Sequence, residues 1–224
     1  MSNTIVGHLI RKDLRVQRAP LLLSLGGGVI ALAILQIGGE TATVLGSVWF
    51  FVALIILASI LPVSNIVNER KKQNLPFLMS LPVSPVQYTM AKVASTIGLF
   101  LIPWLILVAV ALWLIFGRGI LPHGVIPVTL ILCALPLIGF VFMFGTALVS
   151  ESEGWTIAAS IVCNSSYGLT WYFMTKVPAL THDLSSKIVV WNSTLFSVIA
   201  AEYGLIALIL ALTFFLQSRK RDFI

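Results

Sequence analysis

Charge is what this sequence has least of. Only 10% of its 224 residues are Asp, Glu, Lys or Arg, where an ordinary soluble domain carries roughly 25%. Water is therefore not the main solvent of this chain. Cysteine is scarce too: Cys133 and Cys163 both lie inside apolar runs. They have no CxxC spacing and no His partner, so they read as small buried hydrophobes, without metal or redox chemistry. The three His residues, His8, His123 and His182, sit outside the centres of the apolar runs. No HExxH and no intramembrane acid pair occurs, and nothing gathers Ser or Thr into a catalytic constellation. A GxxxxGK[ST] phosphate loop is missing as well. Gly26-Gly27-Gly28 lies within an apolar run, not after a strand, so it serves close helix packing or a local bend. By this reading the chain does not hydrolyse ATP and is not an enzyme.

What is present is apolar surface. Hydrophobic residues make up 58% of the sequence, and mean hydropathy is +1.03. A helix needs roughly 20 apolar residues to cross a bilayer. Six segments qualify: Ala19–Gly39, Thr41–Asn68, Val93–Gly117, Gly124–Val149, Gly154–Thr175 and Leu195–Gln217. Membrane barrels alternate with period two. Runs such as Leu205-Ile206-Ala207-Leu208-Ile209-Leu210 are apolar all round, so helices are expected. No cleavable leader pattern precedes the first run. Pro103 and Pro136 predict kinks whose freed carbonyls need partners.

The net charge of +6 does not point to nucleic acid, because the cations cluster at the ends of the apolar segments. With six spans, eleven cations share one side: Arg11, Lys12, Arg15, Arg18, Arg70, Lys71, Lys72, Lys92, Arg219, Lys220 and Arg221. Three, Arg118, Lys176 and Lys187, fall on the other. The bias places both termini in the cytoplasm. Residues 1–224 then form one all-α membrane domain, with too little outside the spans to bury a second core.

Residues 1–18 form the first segment of interest. Ile5, Val6, Leu9, Ile10, Leu14 and Val16 fall on one half of a helix; His8, Arg11, Lys12, Arg15 and Arg18 fall on the other. That pattern predicts an interfacial amphipathic helix, with Asp13 breaking its apolar face.

Residues 68–92 form the second, a cytoplasmic loop containing LPFLMSLPVSP. Pro76 opens a short helix and Pro82 ends it. Ser84 and Pro85 then start the next long helix, with Gln87 closing a capping box. The short helix displays Leu75, Phe77, Leu78 and Leu81. Such a knob either dips into headgroups or docks into a groove on a soluble partner.

Polar residues within the spans are the last candidates. Asn164, Ser165, Ser166 and Tyr167 lie mid-span, where they line a pathway or bond a neighbouring helix. Glu202 is the lone acid of the last span. It is either a coupling acid or an interfacial residue before a span that starts at Tyr203. Trp171 and Tyr172 suit an outer aromatic belt.

Glu69-Arg70-Lys71, Leu75 to Leu78 and Ser80-Leu81-Pro82-Val83-Ser84 together resemble the first cytoplasmic loop of ABC-2 type transporter permeases. The layout of the whole chain resembles theirs: an interfacial helix, six spans, a long loop after span 2, a short turn after span 4 and an outer segment at 176–194. The resemblance implies the membrane subunit of an ATP-binding-cassette exporter in a prokaryotic cell membrane. Its partners would be a separate ATPase subunit, which holds ATP and Mg, and a second permease subunit. Glu69 and Arg70 would end the extension of span 2. Leu75, Phe77, Leu78 and Leu81 would enter the ATPase surface, and Glu151, Ser152 and Glu153 would make the shorter second contact. The substrate class it implies is broad: drug, peptide or lipid-like. A self-contained secondary transporter or channel using Glu202 is the competing expectation.

Overall fold

A computed structural model describes residue 7 and residues 11–67, 85–150 and 152–219; for residue 67 and residues 85–92 the backbone alone is described. Every described element is helical. Residues 11–16 form a helical segment that passes through a turn at Gln17 into α1, Arg18–Leu35. α2 runs Glu40–Pro62 and continues as a π-helical turn, Val63–Val67. α3 is Pro85–Arg118, α4 Ile126–Ser150, α5 Glu153–Lys176 and α6 Ser193–Arg219. Short helical turns at His123–Val125 and Pro178–Thr181 cover the joints before α4 and after α5.

Five helical stretches are long and apolar enough to cross a membrane: Arg18–Leu35, Glu40–Ile66, Val93–Arg118, His123–Ser150 and Ser193–Arg219. Their limits follow local chemistry. Gly38 and Gly39 take φ of 78° and 86°, a conformation that costs glycine little and ends α1 short of the expected Gly39. Glu40 then sits in the first turn of α2, where the helix dipole favours an acid. α3 starts at Pro85, as the proline placement predicts. α5 has 24 residues, about 36 Å at 1.5 Å per residue. It is long enough to cross but too polar to join the five.

In lipid, apolar side chains gain little by leaving the solvent, so helices associate through close packing, small residues and hydrogen bonds. α1 lies against α2 by that route. A Cβ on Gly46 would fall 2.7 Å from Leu35 Cγ, and Ser24 Oγ donates to the Ala53 carbonyl at 2.7 Å. Gly28 faces α3, where an added Cβ would meet Leu107 Cδ2 at 2.6 Å. Of the glycine run, Gly28 therefore acts through packing. The Phe100 and Phe140 rings stack with centroids 4.0 Å apart, joining α3 to α4, and Phe144 extends the stack. α4 is the central helix, packing against α2, α5 and α6.

A side-chain bond also ties α3 to α4 near both prolines. Trp104, the residue after Pro103, donates its indole N–H to the Cys133 carbonyl at 3.0 Å. That carbonyl lies three residues before Pro136; the one the proline itself leaves without a helical donor is that of Leu132. Both cysteines are free and buried, as expected.

At the end carrying Arg118, the segment 176–194 folds back over the helices. Gly124 N donates to the Ser186 carbonyl at 3.0 Å. Leu180 and Leu195 pack with Ile131 and Met174 in a small second core. Asn192 caps α6 by accepting from Leu195 N at 2.8 Å, and its amide donates to the Ala179 carbonyl at 2.7 Å.

Candidate functional site

The densest polar cluster among the described residues joins three helix ends. Asp13 and Gln17 are one turn apart in the N-terminal segment and are only 4% and 0% exposed. Gln17 Nε2 donates to Ser64 Oγ at 2.8 Å and to Asn65 Oδ1 at 3.3 Å. Asn65 Nδ2 donates to Thr96 Oγ1 at 2.9 Å. Ser95 Oγ donates to Asp13 Oδ2 at 2.7 Å. Lys12 Nζ stands 3.9 Å from Asp13 Oδ1, at the edge of the cluster. The N-terminal segment is thus bonded directly to α3 and, through the π turn, to α2.

The π turn makes the second link possible. It follows Pro62 and presents Ser64 and Asn65 together toward Gln17. Such turns recur where a side chain must be re-aimed for function. Asn65 is 3% exposed and Thr96 fully buried. Their mutual bond removes a desolvation cost of roughly 1–3 kcal/mol that either would carry alone.

This arrangement shows which side of residues 11–17 faces the bundle. Leu14 and Val16, placed on the apolar face, are 46% and 62% exposed. The polar Asp13 and Gln17 point inward instead. Asp13, Gln17, Ser24, Gly28 and Ala31 form one buried stripe running from the segment into α1. Small and polar residues mark the inner face of a membrane helix. That signal was present in the sequence, but the hydrophobic period masked it. Ile5, Val6, Leu9, Ile10 and His8 lie outside the described residues.

The cluster flanks the loop. Residues 63–67 form the last described turn before 68–84, and residues 93–96 lie in the third turn of α3, about 12 Å along the helix from Pro85. Glu69, Arg70, Leu75, Phe77, Leu78 and Leu81 lie outside the described residues, as does Glu151. Ser152 stands at the start of α5, where its carbonyl accepts from Thr156 N at 3.2 Å and Thr156 Oγ1 at 2.9 Å. Glu153 occupies the first turn of α5 and is exposed. The π turn packs against both α4 and α5. Ser150 and Ser152 therefore lie at the same end of the bundle as the π turn.

The intramembrane candidates separate. Asn164, Ser165 and Ser166 are exposed on this chain. Asn164 Nδ2 bonds the Ser160 carbonyl at 2.9 Å, and Ser166 Oγ bonds the Cys163 carbonyl at 2.7 Å, both within α5. They do not tie α5 to a neighbour. The face of α5 turned inward is instead Thr156, Ala159, Cys163 and Met174. Tyr167 is half-buried, its hydroxyl lodged where a Cβ on Gly139 would otherwise stand.

Glu202 belongs to the packed face of α6. It lies in the third turn of α6 and is 9% exposed, on the stripe Leu195, Glu202, Ile206 and Thr213. α6 packs chiefly on α4, and Thr213 fills the gap left by Gly145. Glu202 Oε2 has no hydrogen-bond partner. The structure does not bring Glu202 together with Asn164, Ser165 or Ser166. No cluster of three or more metal-ligating side chains occurs among the described residues. Set against family models, curated proteins and solved structures, the chain finds no match in any of the three.

Proposed function

We propose that this chain is the membrane-spanning permease subunit of an ATP-driven exporter of the ABC-2 type. In this reading it has six spans, with α5 as the sixth, and both termini are cytoplasmic. It works in a prokaryotic cell membrane with a separate ATPase subunit that binds ATP and Mg. The observation carrying the proposal is the polar junction at the roots of the 68–84 loop. A segment that transmits force must be anchored to more than one helix, and this one is flanked by a junction binding the N-terminal segment, α2 and α3. Ser150 and Ser152 share the end of the π turn, which suits a two-point contact with one partner.

A second permease subunit fits the faces of α5 and α6. Asn164 is exposed mid-helix, and a polar side chain at that depth needs protein or water around it. The exposed face of α5 is where a second copy, or a related chain, would cover it and enclose a pathway. The cargo is drug, peptide or lipid-like.

Purification of the tagged protein from its native membrane in mild detergent tests the proposal. A stoichiometric ATPase subunit should co-purify and be lost when Phe77 and Leu78 are both changed to Asp. A protein that purifies alone, with no ATPase activity, refutes it. One observation favours the competing secondary-transporter reading: Glu202 is buried with an oxygen that has no partner. In that case Glu202→Gln would abolish ion-driven uptake or efflux in proteoliposomes lacking ATP.

A further inference from the structure

At the end of the bundle away from the polar junction lies a cavity of about 560 Å³. That volume is typical of small-molecule sites, which run from about 300 to 1,000 Å³. Its walls come from five helices and include Leu35, Phe51, Leu114, Val128, Leu132 and Trp171. Val48 and Trp171, on α2 and α5, also line it and are each 55% exposed. The cavity therefore opens sideways between those two helices.

Its depth is telling. Along α2 the lining runs from Thr43 to Ile55, about 18 Å at 1.5 Å per residue. Half of a hydrocarbon core of roughly 30 Å is about 15 Å. The cavity thus spans one leaflet from its polar boundary inward.

A cation stands at that boundary. Leu32 and Leu114 line the cavity, and Gln36 and Arg118 follow each by one helical turn on the same face. Arg118 Nη1 donates to Gln36 Oε1 at 2.8 Å, and the guanidinium lies 5.7 Å from the Trp113 ring centroid. Guanidinium has five N–H donors in a fork suited to phosphate. Arg118 is exposed, and no carboxylate pairs with it among the described residues.

We propose that this cavity holds an acyl chain of one anionic phospholipid from the adjoining leaflet, with the lipid phosphate on Arg118. The apolar walls take the chain, the lateral opening admits it from the bilayer, and Arg118 selects the headgroup. The site lies within one chain and does not depend on the exporter reading.

The test uses the full chain in mixed micelles with equal phosphatidylglycerol and phosphatidylcholine, and native mass spectrometry to count retained lipids. One phosphatidylglycerol per chain should remain, favoured about fivefold, the preference one cation confers near an anionic surface. Arg118→Gln should erase the preference. Ser47→Phe, which fills the cavity from α2, should remove the bound lipid while helicity and melting temperature hold. Thr129→Phe does the same from α4 and decides if the first variant misfolds. If both misfold, brominated phosphatidylglycerol decides: it should quench the wild type more than Trp171→Phe. Retention of no lipid, equal retention of both lipids, retention in folded cavity-filled variants, or equal quenching would each overturn the proposal.

Discussion

Ser95 donates to Asp13 across 82 positions of sequence, Oγ to Oδ2 at 2.7 Å, and the two residues are only 3% and 4% exposed. This bond fixes the N-terminal segment to the third turn of α3. Hydrogen bonds to a charged group contribute about 1.5–3 kcal/mol. Ser95→Ala should lower the unfolding free energy in detergent–SDS titration by that amount. A loss under about 0.5 kcal/mol would mean that the carboxylate is held by other contacts.

Asn65 sits between Gln17 and Thr96. Asn65→Leu keeps the volume and removes both bonds, while Gln17 Nε2 keeps its bond to Ser64 Oγ, so it should cost about 1–3 kcal/mol. Thr96→Val removes only the bond from the Asn65 amide and should cost less. Equal costs for the two substitutions would show that the longer bond to Gln17 adds nothing.

Gly28 and Gly26 give a paired test of packing. A Cβ at Gly28 meets Leu107, whereas nothing lies within 4 Å of a Cβ at Gly26. Gly28→Val should destabilise by about 1–3 kcal/mol through overpacking. Gly26→Val should change stability little. The reverse order would show that α1 is rotated from the position described.

Trp104 caps the Cys133 carbonyl at 3.0 Å. Trp104→Phe keeps the aromatic bulk and removes the donor, for an expected loss of about 1 kcal/mol. Unfolding of the single variant in detergent–SDS titration measures it. No loss would show that the indole N–H contributes nothing to the joint between α3 and α4.

A second copy covering α5 predicts short cross-links. With Cys133 and Cys163 replaced by Ala, a cysteine at Asn164 should form a disulfide-linked dimer in native membranes under mild oxidation. A cysteine at Leu132, half-buried inside the chain, should not. Monomer only at both positions would remove α5 as the covering face.

The sequence by itself determined the solvent of this protein and the places where its helices begin and end. Runs of about 20 apolar residues admit few alternatives in a bilayer, because every backbone group must be bonded within its own segment. Proline and glycine then set the limits, as Pro85 and the Gly38-Gly39 pair do. Five of the six expected spans coincide with helices long and apolar enough to cross. α5 was harder to read, because its polar residues are exposed and lower its hydropathy.

Which face of each helix turns inward was decided only by the tertiary structure. Inside lipid, an apolar side chain gains about as much from tails as from a neighbouring helix, so hydrophobic period does not mark the interior. Asp13 looked like a flaw in an amphipathic face until Ser95 was seen beside it. Glu202 was a lone acid of undetermined face until α6 was seen to bury it on its packed side. Their partners lie on other helices, tens of residues away, and no local pattern encodes such a pairing. The small and polar stripe from Asp13 through Gln17, Ser24 and Gly28 is the nearest the sequence comes to stating it. Close approach of backbones and satisfied hydrogen bonds drive association in lipid, and those are the residues that permit them.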